Sequence, residues 1–152
     1  MKVLCDQMLG SLATWLRFLG IDTFYANDQI TDDELLSIAV TEKRVLITRD
    51  NELIHRAIKK QHQVIPITSI DLDEQLSQVI AEISFDPDSI LTRCSLCNSI
   101  LKSIHKKEVQ EKVPKKVYES HHEYWICPTC KKNYWKGSHY DEIIKKIKTL
   151  SK

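Results

Sequence analysis

The chain has 152 residues, 42% of them hydrophobic, and carries 22 Lys+Arg against 21 Asp+Glu. That is enough apolar material for one real core and a small second module, and no apolar run is long enough to span a bilayer, so a soluble protein is expected. The net charge of +1 conceals an asymmetry: residues 1–90 carry 8 Lys+Arg against 15 Asp+Glu (−7), and residues 91–152 carry 14 against 6 (+8). A small basic module attracts polyanions in a salt-dependent way; the plainer alternative is a solvated, lysine-rich surface.

The first part alternates strand and helix patterns. Residues 2–5 form a short β-type apolar run, after which Met8, Leu12, Trp15, Leu16 and Leu19 recur at helical spacing until Gly20 closes the helix. A strand at 21–25 follows. Thr31-Asp32-Asp33-Glu34 then supplies an N-cap signal for a helix whose buried face is Leu35, Leu36, Ile38 and Ala39. Val45-Leu46-Ile47-Thr48 is a continuous run of the kind covered on both faces in a parallel sheet. Beyond it the pattern predicts a helix at 51–60, a strand at 64–67 and a helix at 71–84. Repeated strand-helix units imply an α/β lobe with a mostly parallel sheet flanked by helices.

Phe85-Asp86-Pro87-Asp88-Ser89 disfavours helix on either side and marks a boundary, giving two domains, 1–88 and 89–152. Residues 102–119 read as a lysine-rich insertion, 123–126 and 133–135 as short strands, and 141–150 as a terminal helix that packs back on the protein through Ile143, Ile144, Ile147 and Leu150.

Two CxxC pairs dominate the second part. Cys94/Cys97 and Cys127/Cys130 match a tetrahedral Zn²⁺ site, because each pair closes a tight turn that points two sulfurs at the metal at about 2.3 Å. Four thiols leave no open position for water, which makes the expected zinc structural. Two disulfides or an iron site of the rubredoxin type are the alternatives. Disulfides require an oxidising compartment, and the opening residues lack a signal peptide's charged lead and apolar run, so a reduced, cytoplasmic protein is expected. Cys5 lies in an apolar stretch and reads as a core residue.

In an open parallel sheet, side chains at the carboxyl ends of strands converge on one crevice. Asp6 directly follows the first strand, Asp50 follows Thr48 and Arg49, and Asp32 and Asp33 open the helix between them. Two like charges about 4 Å apart repel by roughly 4 kcal/mol at an effective dielectric near 20. Mg²⁺ or Mn²⁺ would relieve that repulsion, activate a water and hold a phosphodiester for hydrolysis. Each aspartate also has a plain reading as a helix cap, worth ~1 kcal/mol.

The string Cys5-Asp6-Gln7-Met8-Leu9-Gly10-Ser11-Leu12-Ala13, then Asp32-Asp33-Glu34-Leu35-Leu36 and Leu46-Ile47-Thr48-Arg49-Asp50, resembles the Mut-seven C-terminal RNase family. So do Arg93-Cys94, Cys127-Pro128-Thr129-Cys130 and Tyr134-Trp135-Lys136-Gly137-Ser138-His139. The resemblance implies a PIN-like nuclease lobe fused to a zinc ribbon, acting on RNA, with acidic residues gathered around Mg²⁺ or Mn²⁺. Carried over by motif, those acids are Asp6, Asp32 and Asp50, with Asp33 competing with Asp32. Asp71 and Asp73 are candidates for a fourth acid, with surface placement the plainer reading.

Arg17 and Arg49 are candidates for a bidentate phosphate contact, against a salt bridge to a neighbouring carboxylate for at least one of them. Lys132, Lys136 and His139 join them as candidate substrate contacts, with Lys115, Lys116 and Lys131 adding to an electrostatic track. Tyr124, Trp125, Tyr134 and Trp135 are either base-stacking platforms or core. The expected function is therefore a metal-dependent RNase acting on single-stranded RNA, as an endonuclease rather than an exonuclease. A non-catalytic RNA- or ribosome-binding protein is the alternative. Oligomeric state is left open.

Overall fold

The computed structural model describes residues 1–151. Strands β1 (Lys2–Cys5), β2 (Asp22–Tyr25), β3 (Val45–Thr48) and β4 (Val64–Pro66) form a parallel sheet in the order β2-β1-β3-β4. Parallel neighbours need crossovers, and α1 (Gly10–Phe18), α2 (Asp32–Thr41) and α3 (Asn51–Lys59) supply them, with α4 (Leu72–Glu82) after the last strand.

Side chains alternate across the sheet, so each strand feeds both faces. On one face Leu4 and Leu46 meet Leu35, Leu36 and Ala39 of α2 and Leu53 and Ala57 of α3. On the other, Val3, Cys5, Val45 and Ile47 meet Leu12 and Leu16 of α1 and Leu76 and Val79 of α4. All four residues of β3 are buried, as its unbroken apolar run predicted.

A 3-10 turn at Pro87–Ser89 leads into the second unit. There β5 (Lys102–Ile104), β6 (Tyr124–Ile126) and β7 (Asn133–Tyr134) form an antiparallel sheet in the order β5-β6-β7. The expected strands around 123–126 and 133–135 are β6 and β7. The lysine-rich insertion is more ordered than its composition announced: it contains β5, a 3-10 turn at Lys106–Val109 and helix α5 (Lys115–Ser120). Helix α6 (Ser138–Leu150) starts three residues earlier than its apolar spacing indicated.

The two units share one core. The cluster on the α1/α4 face of the parallel sheet runs on through Leu91, Leu101, Tyr134, Ile143 and Ile147. As expected, α6 packs back on the lobe, where Lys146 bonds Asp73 and lies 4.9 Å from the Trp15 ring centroid. Gly20 permits the junction: it adopts φ +79°, and a Cβ there would meet the Ser89 carbonyl oxygen at 2.2 Å.

Polar contacts stitch the same seam. Arg17, only 8% exposed, donates from Nε to Thr23 O at 3.0 Å and from Nη1 to Ser95 O at 3.3 Å and Leu96 O at 3.0 Å. Asn98 accepts from Thr23 N at 3.0 Å and donates to Asp22 at 2.8 Å. Burial pulls the Arg17 pKa down, against the opposing influence of Cys5, Cys97, Cys94 and Asp22.

Candidate acidic recess and metal centre

At the carboxyl end of the parallel sheet, Asp6, Asp32 and Asp50 line one recess of about 60 Å³, together with Gln7 and Asn27. Local structure explains how each arrives there. Asp6 ends β1 and caps the following 3-10 turn (Gln7–Leu9), its Oδ1 accepting from Met8 N at 3.0 Å. Asp50 caps α3, its Oδ1 accepting from Glu52 N at 2.9 Å and Leu53 N at 3.2 Å. The capping readings of these two are therefore real, yet both carboxylates still face the recess.

Asp32 does not cap its helix. Thr31 does, in a reciprocal box with Glu34, which leaves Asp32 in the first turn facing the recess. Asp33 turns outward to bond Arg56 of α3 and does not line the recess, so of the doublet only Asp32 meets Asp6 and Asp50. Arg56 also comes within 3.8 Å of Asp32.

Thr48, fully buried at the end of β3, links the two strand-end acids: its hydroxyl donates to Asp6 Oδ2 and accepts from Asp50 N at 3.0 Å. Sequence reasoning passed over it, although its place two residues before Asp50 was the available signal. Burial raises the Asp6 carboxyl above its ordinary value; the bonds from Thr48 and Met8 pull it back, and the charge of Asp50 pushes it up again. Asp71 caps α4 and Asp73 bonds Lys146, so both serve the fold.

The recess presents carboxylate and amide oxygens, with two acids close enough to perturb one another, and such oxygens suit a hard divalent cation. The three carboxylates are more widely spread than the thiols. Among the described residues, only Cys94, Cys97, Cys127 and Cys130 bring three or more potential ligand atoms within 4.8 Å of one another.

The thiols are placed for a metal ion. Cys97 Sγ and Cys127 Sγ lie 3.4 Å apart, too far for a disulfide at about 2.05 Å and near the roughly 3.8 Å edge of a tetrahedron with 2.3 Å metal–sulfur bonds. Both knuckles share one backbone pattern. Asn98 N donates to Cys94 O and Lys131 N to Cys127 O, each at 2.9 Å, while Asn98 and Lys131 take positive φ of 70° and 62°. Tyr134 supports the cluster by donating to Cys94 Sγ at 3.2 Å, and burial together with that bond pushes its hydroxyl pKa up to about 12. Cys5 is a buried core residue, as expected.

The candidate substrate contacts are scattered. Arg17, a candidate for a phosphate contact or a salt bridge, is instead the buried strut between the units, and its hydrogen-bond partners are carbonyls. Arg49 is half-buried beside the recess and makes no ion pair among the described residues. Lys132 lies 5.1 Å from the Tyr134 ring centroid, and Lys136 lies between Trp125 at 5.7 Å and Tyr140 at 5.2 Å. His139, the second residue of α6, sets its ring edge-on to Phe18 at 5.0 Å and so bridges the units. Tyr124 and Tyr134 are core, while Trp125 and Trp135 stay half-exposed.

The fold and its two sites define a class: an α/β lobe with carboxylates gathered at its strand ends, followed by a small antiparallel unit whose four-cysteine cluster is consistent with a zinc ribbon. Within that class the chain belongs to the Mut7-C RNase domain family, whose model matches residues 1–147 and so spans both units. Neither the curated proteins nor the solved structures gave a match. Family membership points to a nuclease-type function, and no helix among the described residues is long and apolar enough to cross a membrane.

Proposed function

We propose that the protein is a ribonuclease that hydrolyses RNA phosphodiester bonds at the acidic recess and depends on Mg²⁺ or Mn²⁺. The observation that carries this is the convergence of Asp6, Asp32 and Asp50, from three separate stretches of chain, on one recess at the carboxyl end of a parallel sheet. These three carboxylates would hold the cation, which when bound supplies an activated water and offsets charge on the phosphate. Asp50 would stay oriented by its bonds to the α3 amides, and Thr48 would fix the rotamer of Asp6. Arg49, beside the recess, remains a candidate phosphate contact; Arg17, occupied by three carbonyls, is withdrawn from that set.

The two-unit reading assigns residues 1–88 to cutting and 89–152 to gripping single-stranded RNA through Lys132, Lys136 and their neighbours. Zinc in the cysteine cluster is structural, and such a thiolate site suits a reducing cytoplasm. Endonucleolytic action is the favoured mode.

The test is cleavage of single-stranded RNA with Mn²⁺ or Mg²⁺. Parent protein should cut and stop on chelation of the added cation, and Asp6→Asn should not cut; equal cutting by Asp6→Asn removes the assigned site. One observation favours a second reading, RNA binding without turnover: the carboxylates stand apart and two of them also cap helices. That reading predicts salt-sensitive binding with no cleavage under any divalent cation. Elemental analysis should find one zinc per chain, whereas a red protein would mean iron.

A further inference from the structure

The structure assigns a nucleotide-binding cleft to the seam between the units, distinct from the acidic recess. The cleft has a volume of about 190 Å³, the scale of a single base rather than of a helix or strand. Its walls are Phe18 from the lobe and Tyr134, Trp135, His139 and Tyr140 from the cysteine unit and α6. Phe18 and Tyr134 are buried and form its floor, while Trp135, His139 and Tyr140 leave ring surface open, and an open ring accepts a base by stacking, whatever its sequence.

One end of the cleft is built for an anion. Helix α6 is thirteen residues long and its N-cap is Gly137, which offers no side-chain cap. The amides of Ser138, His139 and Tyr140 donate no hydrogen bond among the described residues, so a partial positive charge and open N–H groups meet the cleft. Lys132 lines it, and Lys136 stands over Tyr140. No carboxylate lines it; the nearest acids on α6 are Asp141 in its first turn and Glu142, 3.9 Å from His139.

Gly137 keeps the cleft open. A Cβ there would come within 2.7 Å of Trp135 Nε1, so only glycine lets the indole lie against the start of α6. An aromatic slot ending in a cationic helix start fits a base with its phosphate. Neither a bare anion nor an apolar peptide would use both ends. The cleft deepens the RNase reading and rests on it for its natural ligand, one nucleotide of an RNA chain. It lies on the α1/α4 side of the sheet, by the end of α1, whereas the recess lies by the start of α1 on the α2/α3 side. The two hold different nucleotides of a substrate.

The experiment uses full-length, zinc-loaded protein carrying Asp50→Asn, so that nothing is cut, with 5′-AMP, adenosine and inorganic phosphate as probes. Amide and indole N–H resonances are followed by NMR. AMP should shift Trp135 Nε1–H and the Ser138, His139 and Tyr140 amides, with adenosine and phosphate each at least tenfold weaker and binding declining with added salt. Gly137→Ala and, separately, Lys132→Glu should each weaken AMP at least tenfold; the second variant decides the matter if the first disturbs folding. No AMP response at those resonances, equal affinity in Lys132→Glu, or phosphate binding as tightly as AMP overturns the assignment. Failure of the RNase reading shows up separately, as no cleavage by the parent protein under any divalent cation, and leaves the AMP result as it stands.

Discussion

The parallel lobe buries Val3, Leu4, Leu36, Leu46, Ile47 and Leu76 completely, whereas the antiparallel unit's own cluster buries Val109, Val113 and Tyr124, with Ile104, Val117, Tyr118 and Trp135 partly buried against them. Three such side chains are too small a core to order a unit of about 60 residues by themselves. The difference teaches that the smaller unit needs two outside supports, a metal at the cysteines and the apolar face of the lobe. The lobe, in turn, concentrates its unfavourable electrostatics at one end, where the recess is.

The largest expected effect comes from removing the metal. Structural zinc contributes on the order of 10–16 kcal/mol in small domains. Chelation should therefore strip hydrogen-exchange protection from β5, β6 and β7, and from the Thr23 amide that Asn98 covers, while Leu36 and Leu46 stay protected. A fully protected β6 after chelation would break the contrast between the units.

Arg17→Met comes next. It leaves the Thr23, Ser95 and Leu96 carbonyls without their donor, and buried acceptors left unpaired cost about 1–3 kcal/mol each. A loss of about 3 kcal/mol in denaturant unfolding is expected, with part recovered in Arg17→Lys, whose ammonium cannot reproduce the fork. A neutral Arg17→Met would mean that apolar burial alone holds the seam.

The smallest effect tests the recess. Because the folded state raises the Asp6 pKa, the native protein holds that proton more tightly than the unfolded chain does. Stability therefore declines as pH climbs from the ordinary Asp value of 3.8 through the raised one. Asp6→Asn should be more stable than the parent at pH 7, on the order of 1 kcal/mol, with the advantage gone near pH 3. Mn²⁺ should raise the parent's Tm and leave the variant's unchanged. A variant less stable at pH 7 would show that the bonds from Thr48 and Met8 outweigh the charge.

Much of this was written locally in the chain. The apolar alternation of the lobe, the two CxxC spacings and the strand-end positions of Asp6 and Asp50 all depend on neighbours in sequence. What was not legible depends on partners far away. Arg17 looks like a phosphate contact until Ser95 and Leu96 fold against it. The choice between Asp32 and Asp33 is made by Thr31 as cap and by Arg56 on another helix. In β5, Lys102 and Ser103 are exposed and the strand exists through pairing with β6, so no apolar pattern announces it. The cleft at the seam needs both units at once.

Asn98 has a further consequence. β2 is the outermost strand on its side, and an outer strand with free amides recruits other chains. By taking the Thr23 N–H, the first knuckle blunts that edge. The second unit thus also guards an edge of the first, and a fragment ending at residue 88 is expected to self-associate.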